Sequence, residues 1–121
     1  MNDLIAWFEI PVKNLDRAKN FYEAILDIEM TKVEFGGFKM GWFPKPKVGA
    51  SGSLVEHEAY NPSKEGTLIY LAAEDVSIPL AKIENAGGTI LQGKTQISEE
   101  HGFMAVFLDT EGNRIALHSL K

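Results

Sequence analysis

The chain contains no cysteine, which excludes a disulfide scaffold, a thiolate metal centre and a cysteine nucleophile. No stretch approaches the roughly 20 consecutive apolar residues that a membrane-spanning helix needs. Lysine and arginine are scattered singly, and 12 of them stand against 17 acidic residues for a formal charge of −5. That balance argues against a nucleic-acid partner held by phosphate neutralisation. The opening Met1-Asn2-Asp3-Leu4-Ile5-Ala6-Trp7 has neither the basic start nor the apolar run of a secretion signal, so a cytoplasmic setting is expected. Glycine-rich phosphate loops, His-x-x-x-His and Gly-x-Ser-x-Gly are absent, which leaves nucleotide-binding, zincin and hydrolase readings without a foothold. What remains is 121 residues, 45% apolar and 24% charged, the size and balance of one ordinary globular domain.

The pattern within that domain is doubled. Residues 4–12 are rich in β-formers and reach Pro11. Asn14 can cap a following helix on which Leu15, Ala18, Phe21, Tyr22, Ile25 and Leu26 share one face. Three short strands are expected next, at residues 30–35, 38–43 and 51–56, the first two joined by the hairpin signal Gly36-Gly37. After a polar connector at about residues 59–66 the order repeats. A strand at 67–73 precedes a helix capped by Asp75 or Ser77, carrying Leu80, Ile83 and Ala86 and ending at Gly87. Strands at 89–91, 103–108 and 114–120 complete the second half. The expected fold is therefore α+β: two tandem βαβββ modules, at about 1–58 and 67–121, with facing curved mixed sheets and a small-molecule cleft between them.

The strings Trp7-Phe8-Glu9-Ile10-Pro11-Val12 and Arg17-Ala18-Lys19-Asn20-Phe21-Tyr22, with Ala86-Gly87-Gly88 and Asp109-Thr110-Glu111-Gly112-Asn113 in the second half, are similar in order and spacing to one known group. The chain resembles the vicinal oxygen chelate superfamily of glyoxalase I, bleomycin-resistance proteins and extradiol dioxygenases. Gly66-Thr67-Leu68-Ile69-Tyr70-Leu71 resembles its predicted lactoylglutathione-lyase-related branch. The resemblance implies a homodimer. In glyoxalase I-like members it also implies a divalent metal held by four side chains, which acts as a Lewis acid. Carried over, those four positions are Trp7, Glu56, Leu68 and Ala116, and a slip of one residue offers only Phe8, Ile69 and Ile115. Glu56 alone can bind a metal, and a catalytic ion ordinarily needs about three protein ligands. No cofactor is expected on this basis. A relocated set of Glu9, Glu56 and His118 is the one arrangement that would restore a metal.

Strand alternation extends the lining from those positions. It gives Glu9, Leu54, Tyr70, Arg114 and His118, with Trp42 or Phe43 from the third strand, for a largely apolar pocket with a few polar groups. Glu9 reads either as a base or as the ion-pair partner of Arg114 or Lys13. His118 reads either as a structural, hydrogen-bonded residue or as a proton carrier. His57 should point away from the pocket if Glu56 points in. Three functions compete, the first two being a lyase or isomerase acting on a small oxygenated metabolite through Glu9 or His118, and a sequestering protein without metal chemistry. A structural domain with a filled cleft is the third.

Overall fold

The computed structural model describes residues 4–121, the side chain of Phe35 excepted; Met1 to Asp3, part of the opening read for a secretion signal, lie outside the described residues. Ten elements follow one another. The first five are β1 (Trp7–Val12), α1 (Leu15–Leu26), β2 (Thr31–Phe35), β3 (Phe38–Trp42) and β4 (Ser51–Glu56). The second five are β5 (Tyr70–Ala72), α2 (Ser77–Leu80), β6 (Thr89–Ser98), β7 (Gly102–Leu108) and β8 (Arg114–Ser119). The strands form two sheets of four, in the orders β1-β4-β3-β2 and β5-β8-β7-β6. In each sheet the first strand runs parallel to the last and the remaining pairs are antiparallel. The two halves are thus copies of one βαβββ topology. No helix among the described residues is long and apolar enough to cross a membrane.

Helix α1 forms where the 3.6-residue period requires it. Leu15, Ala18, Phe21, Tyr22 and Ile25 make one buried stripe. Its first-turn donors are satisfied from three directions. Asn14 Oδ1 accepts from Arg17 N at 3.0 Å, and Glu56 Oε1 accepts from Leu15 N at 2.8 Å. Glu111 Oε1, from the other module, accepts from Lys13 N and Asn14 N at 2.9 and 3.0 Å. Gly36 and Gly37 both take positive φ, at 57° and 81°, as the tight hairpin between β2 and β3 demands.

The modules share a single core. Ile10, Val12 and Leu54 from the first sheet join Ala105, Phe107, Ile115 and Leu117 from the second around α1, each buried side chain contributing about 1.5–3 kcal/mol for the larger ones. The Tyr22 hydroxyl donates to Asp109 Oδ2 at 2.6 Å inside this core. Burial first, then the neighbouring Asp109 carboxylate, pushes the Tyr22 phenol well above its ordinary value. Arg17 pairs with Glu111 at 2.7 Å, and Asn113 Nδ2 donates to the carbonyl of Pro11 at 2.7 Å, so the second module's β7–β8 turn is latched onto the first.

The second half departs from expectation in three places. The α-helix stops at Leu80, and bonds such as Lys82 N to Pro79 O close shorter turns after it. Those turns still end like a helix: Gly87 takes φ +108°, while Gly88 N bonds Ile83 O and Gly87 N bonds Glu84 O, the nested pair of a glycine-terminated helix end. β5 covers only residues 70–72, and β6 runs on to Ser98 instead of ending at Leu91. β6 is an edge strand exposed along nearly its whole length with register shifts against β7, so no inside–outside alternation marks it in the sequence.

Candidate functional site

Each sheet has one face on the shared core and one turned away from it. In β1, Ile10 and Val12 are buried and Phe8 packs against the core, so alternation puts Trp7, Glu9 and Pro11 on the helix-free face. Register carries that face across the sheet: Glu9 stands opposite Ser53, and Ser53 opposite Trp42. In the second sheet Leu71 is buried, which leaves Tyr70 and Ala72 outward, opposite Ala116 and His118. Arg114, two residues before Ala116, shares their face. Leu68 is half-buried just ahead of β5.

Two expected lining residues lie on the wrong side. Leu54 is opposite Ile10 and fully buried in the core. Glu56 faces α1, where it holds Leu15 N and lies 4.0 Å from Lys39 Nζ. Its carboxylate sits at the positive end of α1 and caps it. The cause is that Gly52, Ser53, Leu54 and Val55 are all buried, so β4 offers no alternation from which to read its phase. With Glu56 on the helix side, alternation brings His57 to the helix-free face. Its ring stacks on Phe38 with centroids 4.3 Å apart and planes 17° apart.

The helix-free face of the first sheet is aromatic and open. Trp7 and Trp42 meet edge to face at 5.8 Å and 76°, yet remain 44% and 38% exposed, with Tyr70 at 49% on the second sheet. Glu9 is held by Tyr60, whose hydroxyl donates to Glu9 Oε1 at 2.8 Å, and neither Arg114 nor Lys13 pairs with it among the described residues. The hydrogen bond to Glu9, with some desolvation and the carboxylate's charge, raises the Tyr60 phenol above its ordinary value. Tyr60 also packs edge-on against Phe38 at 5.8 Å. It was not anticipated, although it is the one aromatic residue in the polar connector. Ser53, also unanticipated, is fully buried between Glu9 and Trp42, and its Oγ has no hydrogen-bond partner among the described residues.

Glu9 and Arg114 share one cavity without pairing among the described residues. Both line a cavity of about 220 Å³ at the junction of β1, β8 and the connector, along with Asn61, Thr67 and Asn113. Arg114 Nε donates to the carbonyl of Lys64 at 3.2 Å. His118 is elsewhere: its Nε2 lies 2.6 Å from the carbonyl oxygen of His101. A carbonyl only accepts, so Nε2 is the donor in this contact. His101 sits in the β6–β7 turn, its Nδ1 3.0 Å from Ser98 Oγ.

The residues present do not fit the four-ligand metal site that the family resemblance implies. Trp7, Leu68 and Ala116 offer no ligand atom, and Glu56 faces the opposite side of its sheet from Trp7. The relocated set fails for the same reason, because Glu9 and Glu56 lie on opposite faces of the first sheet. No three His, Asp or Glu side chains converge among the described residues.

Comparison with known proteins agrees with the doubled topology. The family model described as Glyoxalase/Bleomycin resistance protein/Dioxygenase superfamily matches residues 4–117. None of the curated proteins matches the chain. A glyoxylase/bleomycin resistance protein/dioxygenase domain from Frankia sp. EAN1pec superposes with a TM-score of 0.75 at 16% identity, covering 98% of each chain. A glyoxalase/bleomycin resistance protein from Albidiferax ferrireducens T118 gives 0.74 at 18% identity over 95% of this chain and 97% of that one. TnmS3, an antibiotic binding protein from Streptomyces sp. CB03234, gives 0.71 at 22% identity over 97% and 95%.

Proposed function

Because the chain belongs to the Glyoxalase/Bleomycin resistance protein/Dioxygenase superfamily, we propose that it binds a flat, partly apolar small molecule on its helix-free face and acts by sequestering it, without metal chemistry. One observation carries the reading: the edge-to-face Trp7–Trp42 pair stays exposed beside a carboxylate, Glu9, that Tyr60 orients. Exposed aromatic area next to a few placed polar groups is what a stacking ligand needs. Arg114 at the junction cavity supplies a cation for an oxygen of such a ligand. A structural relative of similar length, TnmS3, is an antibiotic binding protein, which supports the same reading. The lyase or isomerase reading is weaker, because the junction cavity brings Arg114 rather than His118 to Glu9.

The proposal includes a second copy of the chain. Trp7, Trp42 and Tyr70 are large side chains to leave open on one protomer, and a homodimer that faces these surfaces against each other would close the site. The two tryptophans of the sequence both lie on this face, so intrinsic fluorescence reports the site alone. Titration with an anthraquinone should quench it saturably, and Trp42→Ala should weaken binding about tenfold or more, as loss of an aromatic anchor does. Absence of saturable quenching would remove the proposal. Tight stoichiometric binding of Ni, Zn, Mn or Fe by protein purified without added ions would overturn its metal-independent part.

A further inference from the structure

A further cavity lies mainly away from the helix-free faces. A space of about 560 Å³ opens between the C-terminal end of α1, the 43–51 loop and the β5–α2 turn. Its walls are apolar, formed by Phe8, Ile25, Ile28, Phe43, Leu71 and Pro79. Phe8 and Phe43 contribute an aromatic wall, with centroids 5.5 Å apart. The volume lies within the range of small-molecule pockets, about 300–1,000 Å³. Pro44 and Pro46 line the loop side, and proline's fixed φ limits how far that wall can collapse inward.

The charged part of the lining is one-sided. Asp27, Glu74 and Asp75 line the cavity against a single lysine, Lys82, and no ion pair engages Asp27, Glu74 or Lys82 among the described residues. Asp75 receives Ser77 N, Ser77 Oγ and Lys94 Nζ all on Oδ1, at 2.9, 2.7 and 3.0 Å, and Oδ2 takes none of these bonds. The helix adds to the field. α1 points its C-terminal end at the cavity with Asp27 as its cap and no basic residue in its last turn, although the negative end of a helix favours a cation. An acid at that position is unfavourable for the isolated helix, and a positive charge arriving from outside would offset it.

We propose that this inter-module cavity is a second binding site, for a small amphipathic amine whose one or two apolar rings fill the Phe8–Phe43–Leu71 space and whose ammonium sits among Asp27, Glu74 and Asp75. The site is centred on the core side, where Ile25, Ile28, Phe8 and Leu71 lie; Ser51 and Ala72 reach its edge from the helix-free faces, but neither tryptophan lines it. An anion of the same shape would meet the carboxylates of Asp27 and Glu74 and a helix C-terminus, a field that Lys82 and the Lys94-paired Asp75 offset only in part, so charge sign is the discriminating property.

An amide-resolved NMR titration with naphthylethylamine tests this, with naphthylacetate and ethylnaphthalene as the anionic and neutral counterparts. The amine should bind saturably and shift the amides of Ile25, Ile28, Phe43 and Ile78 while the Trp7 and Trp42 indoles stay in place. Asp27→Asn combined with Glu74→Gln should weaken the amine by about three- to tenfold, the scale of partly exposed charge interactions, and leave ethylnaphthalene unchanged. Ile78→Trp, at a 55% exposed position on the rim, should block all three probes without touching the core. Naphthylacetate binding as tightly as the amine, shifts confined to Trp7, Trp42 and Tyr70, or indifference to the Ile78→Trp variant would each overturn the proposal.

Discussion

Tyr60 donates its hydroxyl to Glu9 across 2.8 Å, tying the connector between the modules to the open face of the first sheet. The contact fixes the Glu9 carboxylate on the Trp7 and Trp42 face and disfavours ionisation of the phenol, through the hydrogen bond first and the charge of Glu9 after it. Glu9→Gln should therefore bring the Tyr60 titration back down toward the ordinary tyrosine range, read by NMR of ring-labelled tyrosine. The signal of Tyr22, held up by burial and Asp109, should not follow. A Tyr60 titration that ignores the substitution would show that the hydrogen bond does not persist in solution.

A second expectation concerns the latch between modules. The Glu111 side chain is closed off from solvent. Burial works to raise its carboxyl, but Arg17, the backbone N–H groups of Asn14 and Lys13, and the Thr110 hydroxyl outweigh it and hold it at about 2. A carboxyl depressed in the folded state stabilises the fold above its unfolded value near 4.5, and that contribution is lost as pH falls toward the folded value. Denaturant midpoints should thus fall between about pH 4.5 and 2, and Glu111→Gln should flatten that fall while costing about 1–3 kcal/mol at neutral pH through weakened charge-assisted bonds. Equal pH slopes in the two proteins would mean that Glu111 is not the group responsible.

Much of this architecture is legible in the chain because burial is one-sided where the elements are strongly patterned. The stripe of α1, the Asn14 cap and the Gly36-Gly37 hairpin each have a local chemical cause and appear in the structure at those residues. The phase of β4 has none. Four consecutive buried residues carry no period, so nothing in the strand itself corrects the position that the family resemblance implies for Glu56, whose carboxylate serves the α1 N-terminus instead. β6 runs past its expected end at Leu91 for the opposite reason, because it is exposed along nearly its whole length. Tyr60 could be found only from the fold, since its partner Glu9 lies 51 residues away in sequence.

Gly52 tests the close approach of β1 and β4. A Cβ built there lies 2.5 Å from the carbonyl oxygen of Phe8 and 2.6 Å from two of its ring carbons. Gly52→Ala must displace β1 backbone together with a ring that packs against Phe43. The expected cost is about 1–3 kcal/mol, the range for overpacking a well-filled core, seen as a lower midpoint in denaturant with an unchanged slope. A variant as stable as the parent would place β1 farther from β4 than the structure has it.

Ser53 separates structural from binding roles on the open face. Its hydroxyl is buried without a partner among the described residues, an arrangement that costs free energy which an apolar side chain would not incur. Ser53→Ala should leave stability unchanged or raise it by up to about 1 kcal/mol, measured by chemical denaturation. The position lies between Glu9 and Trp42, so a ligand that draws those two side chains aside would expose Oγ as a donor at the floor of the site. Under that mechanism the same variant binds the anthraquinone more weakly while folding at least as well. Loss of stability together with loss of binding would instead assign Ser53 to packing, and the orphaned hydroxyl would then have no role in recognition.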